Sequence, residues 1–454
     1  MATSRNKSGQ HNSWVWRRQL VLAGFLLLAT GLLLRAVQLQ IFQHDFLRGQ
    51  GDARHQRTVA IPAHRGNLLD RNGAPLAVST PIVSLWAVPD EIVEDGGKIS
   101  ELASVLSLDA ETLRGKIDRA VSQKKEFVYV QRHVRPDIAE AVEALSVPGL
   151  SQLREYRRYY PSGRAAAHVV GFTDIDDRGR EGMEMAYDDW LSGKPGVRRV
   201  VRDLNGREIE GITTLETAVA GQDLRLSIDK QLQFFADRAL SEAILEHKAE
   251  SASLVVMDVA TGEVLAMANH PTYNPNKVAD RSGGRQRNRS ITDVFEPGST
   301  MKPFTIAAAL MSGQFRSEDI VYTSPGHYKI GKYEVRDTGD YGWLDLGGII
   351  KKSSNVGISK VATQLEPMQM WQVFDELGFG RPPGSAFPGE VAGYFNHPTL
   401  WHHVEQATLS YGYGISVSAL QLVRAYATIA NNGVMPQVSF VSVDTPAEGQ
   451  RIIP

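Results

Sequence analysis

The sequence predicts an α+β protein carried on one N-terminal transmembrane helix. Three observations carry that expectation. Gln19 to Leu34 holds no charge, helical and strand-like patterns alternate without any repeat, and composition shifts near Gly221. A length of 454 residues suits about three domains. Apolar residues at 42% and charged ones at 22% are globular values. Lys plus Arg number 49 against 51 Asp plus Glu, and a net charge of −2 argues against a nucleic-acid partner. There is no cysteine, which excludes a disulfide scaffold, a thiolate nucleophile and thiolate-ligated metal.

The membrane segment comes first in the chain. The uncharged run alone is slightly short of the roughly 20 residues that span a bilayer core. Arg35 can snorkel, so the expected span is 19–42. Trp14 and Trp16 fall where an interfacial aromatic belt would lie, beside Arg17 and Arg18. Residues 1–50 carry six cations and one anion, leaving −7 for the rest. Positive charge ahead of the span places the tail, 1–18, in the cytoplasm and the bulk of the chain outside it. A cleaved signal peptide fits less well, because no A-x-A-like site follows the apolar core.

The exported part divides at residue 221. Residues 43–100 read as short strands and turns, with Arg71-Asn72-Gly73-Ala74-Pro75 as a turn signal. Residues 100–147 read as helical, since Ile99, Leu102, Val105, Leu106 and Leu113 recur at helical spacing. From Tyr159 to Gly221 the chain is rich in Gly and charge, as in a loop-rich module. Beyond it come a strand-like Leu224–Ile228 and an amphipathic helix from about Lys230 to His247. Ser253–Ala268 then alternates on both sides of Thr261-Gly262, as a β-hairpin does. Residues 222–454 are therefore expected to form a mixed sheet packed by helices.

Two short motifs bear chemistry. In Phe295-Glu296-Pro297-Gly298-Ser299-Thr300-Met301-Lys302 a turn precedes Ser299 and an Ala-rich apolar helix follows it. Residues three apart share a helix face, which brings the Lys302 amine beside the Ser299 hydroxyl. A serine attacks only when a base takes its proton, and a desolvated lysine can do so. S-x-x-K occurs four times, at Ser4, Ser122, Ser227 and Ser299, and only the last has this setting. Fifty-four residues on from Ser299, Ser353-Ser354-Asn355 offers a hydroxyl and an amide two apart, suited to proton relay and to orienting a substrate amide. Alone, this S-x-N also suits a helix cap or polar turn.

Together these residues resemble a known family. S-x-x-K followed by S-x-N is the signature of penicillin-binding proteins and serine β-lactamases. Arg65-Gly66-Asn67-Leu68-Leu69-Asp70-Arg71-Asn72-Gly73 resembles the block that opens the periplasmic part of class B penicillin-binding proteins. Arg158-Tyr159-Tyr160-Pro161-Ser162-Gly163 with Ala166, Ala167 and His168 is similar to a second block, continued by Gly182, Glu184, Gly193, Gly196 and Arg202-Asp203. Tyr273-Asn274-Pro275-Asn276, Arg287-Asn288 and Leu409-Ser410-Tyr411-Gly412-Tyr413-Gly414 follow in order. Nearly the whole chain is covered, and the pattern looks most like the cell-division transpeptidase.

The resemblance implies an elongated α+β pedestal of the dimerisation type over 43–221. Over 222–454 it implies a transpeptidase domain, an antiparallel sheet flanked by helices and lacking its last strands. The family's third motif, K-[ST]-G, matches only at Lys7-Ser8-Gly9 in the expected cytoplasmic tail, so the chain looks truncated before it. The implied activity is D,D-transpeptidation at the division septum, inhibited by β-lactams and needing no cofactor and no metal. Ser299 would be nucleophile, Lys302 general base and Ser353 the proton relay, with Asn355 binding substrate. Implied partners are peptidoglycan stem peptides, as D-Ala-D-Ala donor and amine acceptor, a polytopic septal glycosyltransferase and other divisome membrane proteins. The implied location is the bacterial inner membrane, single-pass. The alternatives are an elongation-specific class B enzyme, a membrane-bound β-lactam sensor, for which the tail is too short, and a catalytically impaired division scaffold. His402-His403 reads as structural, Asp174-Ile175-Asp176 as a failed calcium loop, and Lys351-Lys352 as a solvated helix end.

Overall fold

The computed structural model describes residues 10–46, 56–94, 98–201, 213–445 and 448–454. Arg5, Lys7-Ser8-Gly9, Arg48 and Arg202-Asp203 lie outside these residues. Helix α1 (Gln10–Val37) starts earlier than the expected span and runs into a π-helical turn at Gln38–Phe42. Trp16–Phe42 has a mean hydropathy of 2.3, and its apolar window is not buried against any of the described residues. At about 1.5 Å per residue it exceeds the roughly 30 Å hydrocarbon core. Arg35 donates to Gln38 Oε1 at 2.8 Å, which gives the guanidinium a polar partner on its own helix.

The unit that follows is built around one long strand. Its strands are β1 (Gln56–Ile61), β2 (Leu68–Leu69), β3 (Pro75–Ala87), β4 (Val128–Val134), β5 (Leu150–Tyr159), β6 (Phe172–Thr173), β7 (Gly179–Glu181), β8 (Gly196–Val201) and β9 (Thr213–Glu216). Strand β3 runs 13 residues, longer than the short strands expected there. It pairs antiparallel with β5 from Val78↔Tyr159 to Ala87↔Leu150, and its C-terminal half pairs with β4 on the other edge. Strands β1, β8 and β9 form a separate antiparallel ladder. Helices α2 (Pro89–Glu94), α3 (Lys98–Val105), α4 (Ala110–Ser122) and α5 (Pro136–Ala144) bury Ile92, Ile99, Leu102, Leu113, Ile117 and Val142 against Leu85 and Val130. The helical expectation for 100–147 needs one correction, because β4 interrupts it. Val128, Val130 and Val134 are β-branched, and the edge of β3 offers a partner that a local pattern cannot reveal.

Of the strand-like Leu224–Ile228, only β10 (Leu224–Arg225) joins a ladder, parallel to β2. Helix α6 (Lys230–His247) follows with the expected bounds, because Asp229 accepts from the Gln231 and Leu232 amides at 2.9 and 3.0 Å. The expected hairpin is β11 (Ala252–Met257) with β12 (Val264–His270), antiparallel from Ala252↔His270 to Met257↔Val264. Helix α6 covers the face carrying Ala266 and Ala268, while Met267 points into the main core. The remaining elements frame the site. They are α7 (Lys302–Met311), β13 (Ile320–Tyr322), β14 (His327–Ile330), β15 (Tyr333–Arg336), β16 (Trp343–Asp345), α8 (Leu346–Lys352), α9 (Asn355–Ala362), α10 (Pro367–Glu376), α11 (His403–Leu409) and α12 (Ala419–Ala430). Apart from β10, the described strands of this region form two-stranded antiparallel ladders, not the one mixed sheet read from the pattern. Helices α7, α9 and α10 meet in a core of Met301, Phe304, Ile358, Val361, Met370 and Phe374.

Candidate active site

Ser299 sits in a 3-10 turn, Gly298–Met301, and Lys302 opens α7 with Pro303 next to it. Pro303 lacks an N–H, and the first turn of a helix is where that loss costs nothing. Gly298 adopts φ +59°, and Gly412 at φ +86° passes so close that a Cβ there would lie 2.2 Å from the Gly298 carbonyl oxygen. Gly412 therefore needs to be glycine, and Gly298 holds a left-handed conformation that glycine adopts at least cost. The Gly298 amide donates to Gly412 O at 3.2 Å, and the Gly414 amide to Glu296 Oε1 at 3.0 Å. The Tyr411-Gly412-Tyr413-Gly414 segment is thus a strap across the entry of the serine turn.

Ser353 ends α8 in the left-handed conformation, φ +55°. That turn directs both its carbonyl and its hydroxyl at Lys302. Ser354 caps α9, accepting from the Gly357 amide at 2.8 Å. The helix-cap reading of this motif and the chemical one therefore both apply, to neighbouring serines.

The four expected residues converge on one nitrogen. Lys302 Nζ lies 3.0 Å from Ser299 Oγ, 2.9 Å from Ser353 Oγ, 2.6 Å from Ser353 O and 2.8 Å from Asn355 Oδ1. Lys302 is 1% exposed. Burial pushes its pKa down to about 8, and the Asp337 carboxylate nearby opposes part of that fall. A neutral amine has two protons and one lone pair. The two acceptor-only oxygens, Ser353 O and Asn355 Oδ1, take the protons, and the lone pair is left for a hydroxyl. Asn355 is oriented by its Nδ2, which donates to Arg336 O at 3.2 Å.

Asp337 is the residue that sequence reasoning missed. It follows β15, 17 residues before Ser354, and its Oδ2 accepts from Ser354 Oγ at 2.6 Å. Its Oδ1 accepts from the Asn355 and Val356 amides at 2.5 and 3.0 Å. A carboxylate on the first amides of a helix is favoured by the helix dipole as well as by the hydrogen bonds. Nothing local marks Asp337 beyond its place at a strand end, and its role appears only once β15 lies against α9.

Outside the site, His402 is the N-cap of α11, in a reciprocal pair with Glu405. Asp174 Oδ1 accepts from the amides of Asp176 and Arg178 at 2.9 and 3.1 Å, closing a polar turn on itself. Lys351 and Lys352 lie exposed in the last turn of α8, as a solvated helix end should.

The chain is similar to known proteins. A family model described as the penicillin binding protein transpeptidase domain matches residues 252–454, and one described as the penicillin-binding protein dimerisation domain matches 60–226. The peptidoglycan D,D-transpeptidase FtsI of Escherichia coli (strain K12) is 41% identical over 451 residues, covering 98% of this chain and 76% of that protein. A probable peptidoglycan D,D-transpeptidase, PenA of Neisseria meningitidis, is 40% identical over 440 residues, covering 96% of this chain and 75% of PenA. Among solved structures, penicillin binding protein 3 of Mycobacterium tuberculosis, complexed with aztreonam, is 25% identical with a TM-score of 0.64, covering 87% of this chain and 72% of that one. With both domains matched and relatives this similar along almost its whole length, the chain belongs to the class B penicillin-binding proteins.

Proposed function

We propose that the chain is a serine-type peptidoglycan D,D-transpeptidase that cross-links stem peptides at the division septum. The observation that carries this is the buried amine of Lys302 within hydrogen-bond reach of both Ser299 Oγ and Ser353 Oγ. Lys302 takes the Ser299 proton as the oxygen attacks the carbonyl of the penultimate D-Ala. The peptide bond breaks, Ser353 relays a proton to the departing D-Ala amine, and the stem peptide is left as an ester on Ser299. An amine of a second stem peptide then attacks that ester, forming the cross-link and returning the proton to Ser299. Asn355 keeps one Nδ2 proton beyond its bond to Arg336 O, which suits a carbonyl of the substrate backbone. A β-lactam mimics the donor, and its ring amide opens onto the same oxygen.

The reading extends to the rest of the chain. Residues 19–42 anchor it in the inner membrane with 1–18 in the cytoplasm, 43–221 form the pedestal, and 222–454 form the transpeptidase unit. Anchor and pedestal hold the site near lipid-linked substrate, a septal glycosyltransferase and other division proteins of the membrane. A second reading, a division scaffold with impaired chemistry, keeps the anchor and pedestal but forms no acyl-enzyme.

Intact mass after incubation with benzylpenicillin separates the two. One adduct on the wild-type chain, absent from Ser299→Ala, is the expected result. No adduct on a folded wild-type chain favours the scaffold.

A further inference from the structure

The serine turn is braced at its exit by a helix that no sequence motif marks. In a 3-10 turn, residues three apart eclipse. In an α-helix the same pair is offset by about 60°, the difference between three steps of 120° and three of 100°. The 3.0 Å contact between Lys302 Nζ and Ser299 Oγ is made with a tight pitch through Met301 that relaxes from Lys302 onward. The carbonyl of Thr300, between the two, accepts from Tyr426 Oη at 2.7 Å. The Tyr426 ring also stands edge-on to Phe304, with centroids 4.9 Å apart and planes at 66°. Phe304 is wholly buried, two residues past Lys302, and is backed by Phe379 at 5.5 Å. One side chain thus grips both sides of the point where the pitch changes. The strap at Gly412 and Gly414 holds the entry of the same turn.

We infer that Tyr426 is a positioning residue for acyl transfer: its hydroxyl fixes the Thr300 carbonyl, and with it the backbone pitch that sets Ser299 Oγ against Lys302 Nζ. The inference rests on the acyl-transfer reading of the site. Tyr426 acts on the reacting atoms only through the turn. It is 37% exposed, so replacing it by Phe removes little packing and one hydrogen bond.

The test is Tyr426→Phe, which keeps the ring against Phe304. Acylation by a fluorescent penicillin is resolved into the affinity of the non-covalent complex and the maximum acylation rate. The expected result is a maximum rate lower by about fivefold to tenfold, from the loss of one hydrogen bond, with affinity unchanged. The midpoint of the acylation pH profile should move upward, because a looser turn admits water to Lys302 and favours its ammonium. A purely structural role would lower the melting temperature and leave that midpoint in place. Hydrogen–deuterium exchange on the unliganded protein supplies an independent arm, in which the segment from Ser299 to Phe304 exchanges faster in Tyr426→Phe. A wild-type maximum rate and pH midpoint in the variant would overturn the inference, as would unchanged exchange. If the wild type is not acylated at all, the acyl-transfer reading fails, and the exchange arm still decides whether Tyr426 braces the turn.

Discussion

On the acyl-transfer mechanism proposed above, Lys302 sets the pH behaviour of the site. Its amine accepts a proton from Ser299 only when neutral, and burial brings its pKa down to about 8. Acylation should therefore rise about tenfold per pH unit below that value and level off above it. Asp337 opposes the fall, so Asp337→Asn should move the midpoint of the acylation profile to lower pH. The same change weakens the carboxylate's grip on Ser354, Asn355 and Val356, and the plateau rate should drop. A pH–rate profile with a midpoint that stays or rises would refute the electrostatic part. Stability carries the opposite signature to that of a salt-bridged lysine. Between about pH 8 and 10.5 the unfolded chain holds a proton on Lys302 that the fold does not, so this group's contribution to stability improves as pH rises through that window. The meeting of Ser299 and Lys302 was legible from spacing and local context, whereas Ser353 and Asn355 were singled out only by the family resemblance. Asp337 and Tyr426 were legible from neither, since each acts across a tertiary contact from an unremarkable position.

Elements with strong local signals came out as the sequence implied. Asp229 before an amphipathic run gave α6 its start, and Thr261-Gly262 marked the β11–β12 turn. Strand β4 was lost within a helical neighbourhood, and β3 is longer than its turns suggested, because both lengths are fixed by partners far along the chain. Helix α6 shows how such partners are joined. Gln233 is 1% exposed. It donates to Ala165 O at 2.7 Å and to Met267 O at 2.8 Å, and accepts from the Met267 amide at 2.7 Å. One amide side chain thus ties the helix to β12 and to a 3-10 turn of the preceding unit. Gln233→Ala leaves a buried amide and two carbonyls without these bonds, at a cost of about 3 kcal/mol. Urea denaturation should show this loss with an unchanged m-value; a loss below about 1 kcal/mol would mean that water replaces the side chain.

At the scale of the whole molecule, one of the buried cores runs across the boundary expected at residue 221. Leu68, Tyr160, Val169 and Leu191 lie in the same buried cluster as Leu226, Met257, Met267, Leu420 and Phe440. The crossing is reinforced by the parallel β2–β10 pair and by the Arg71 amide, which donates to Ile228 O at 2.9 Å. Beside it, Glu184 is fully buried between two guanidinium groups, accepting from Arg65 Nε at 2.8 Å and from Arg158 Nε at 2.6 Å. Arg65 also reaches Asp188 Oδ1 at 2.6 Å, and Arg158 reaches Ser79 Oγ at 3.0 Å. Removing the shared carboxylate leaves two cations buried without their common partner, a change that costs about 3–5 kcal/mol. If the two units melt as one, Glu184→Ala must weaken the active site as much as the pedestal, although Glu184 touches neither Ser299 nor Lys302. Two probes on one urea titration decide this: exchange protection of β3 and β5 in the pedestal, and exchange protection of α7 behind Ser299. Equal downward shifts of both midpoints are expected. A shift confined to β3 and β5 would show that the common core packs the units together without coupling their unfolding.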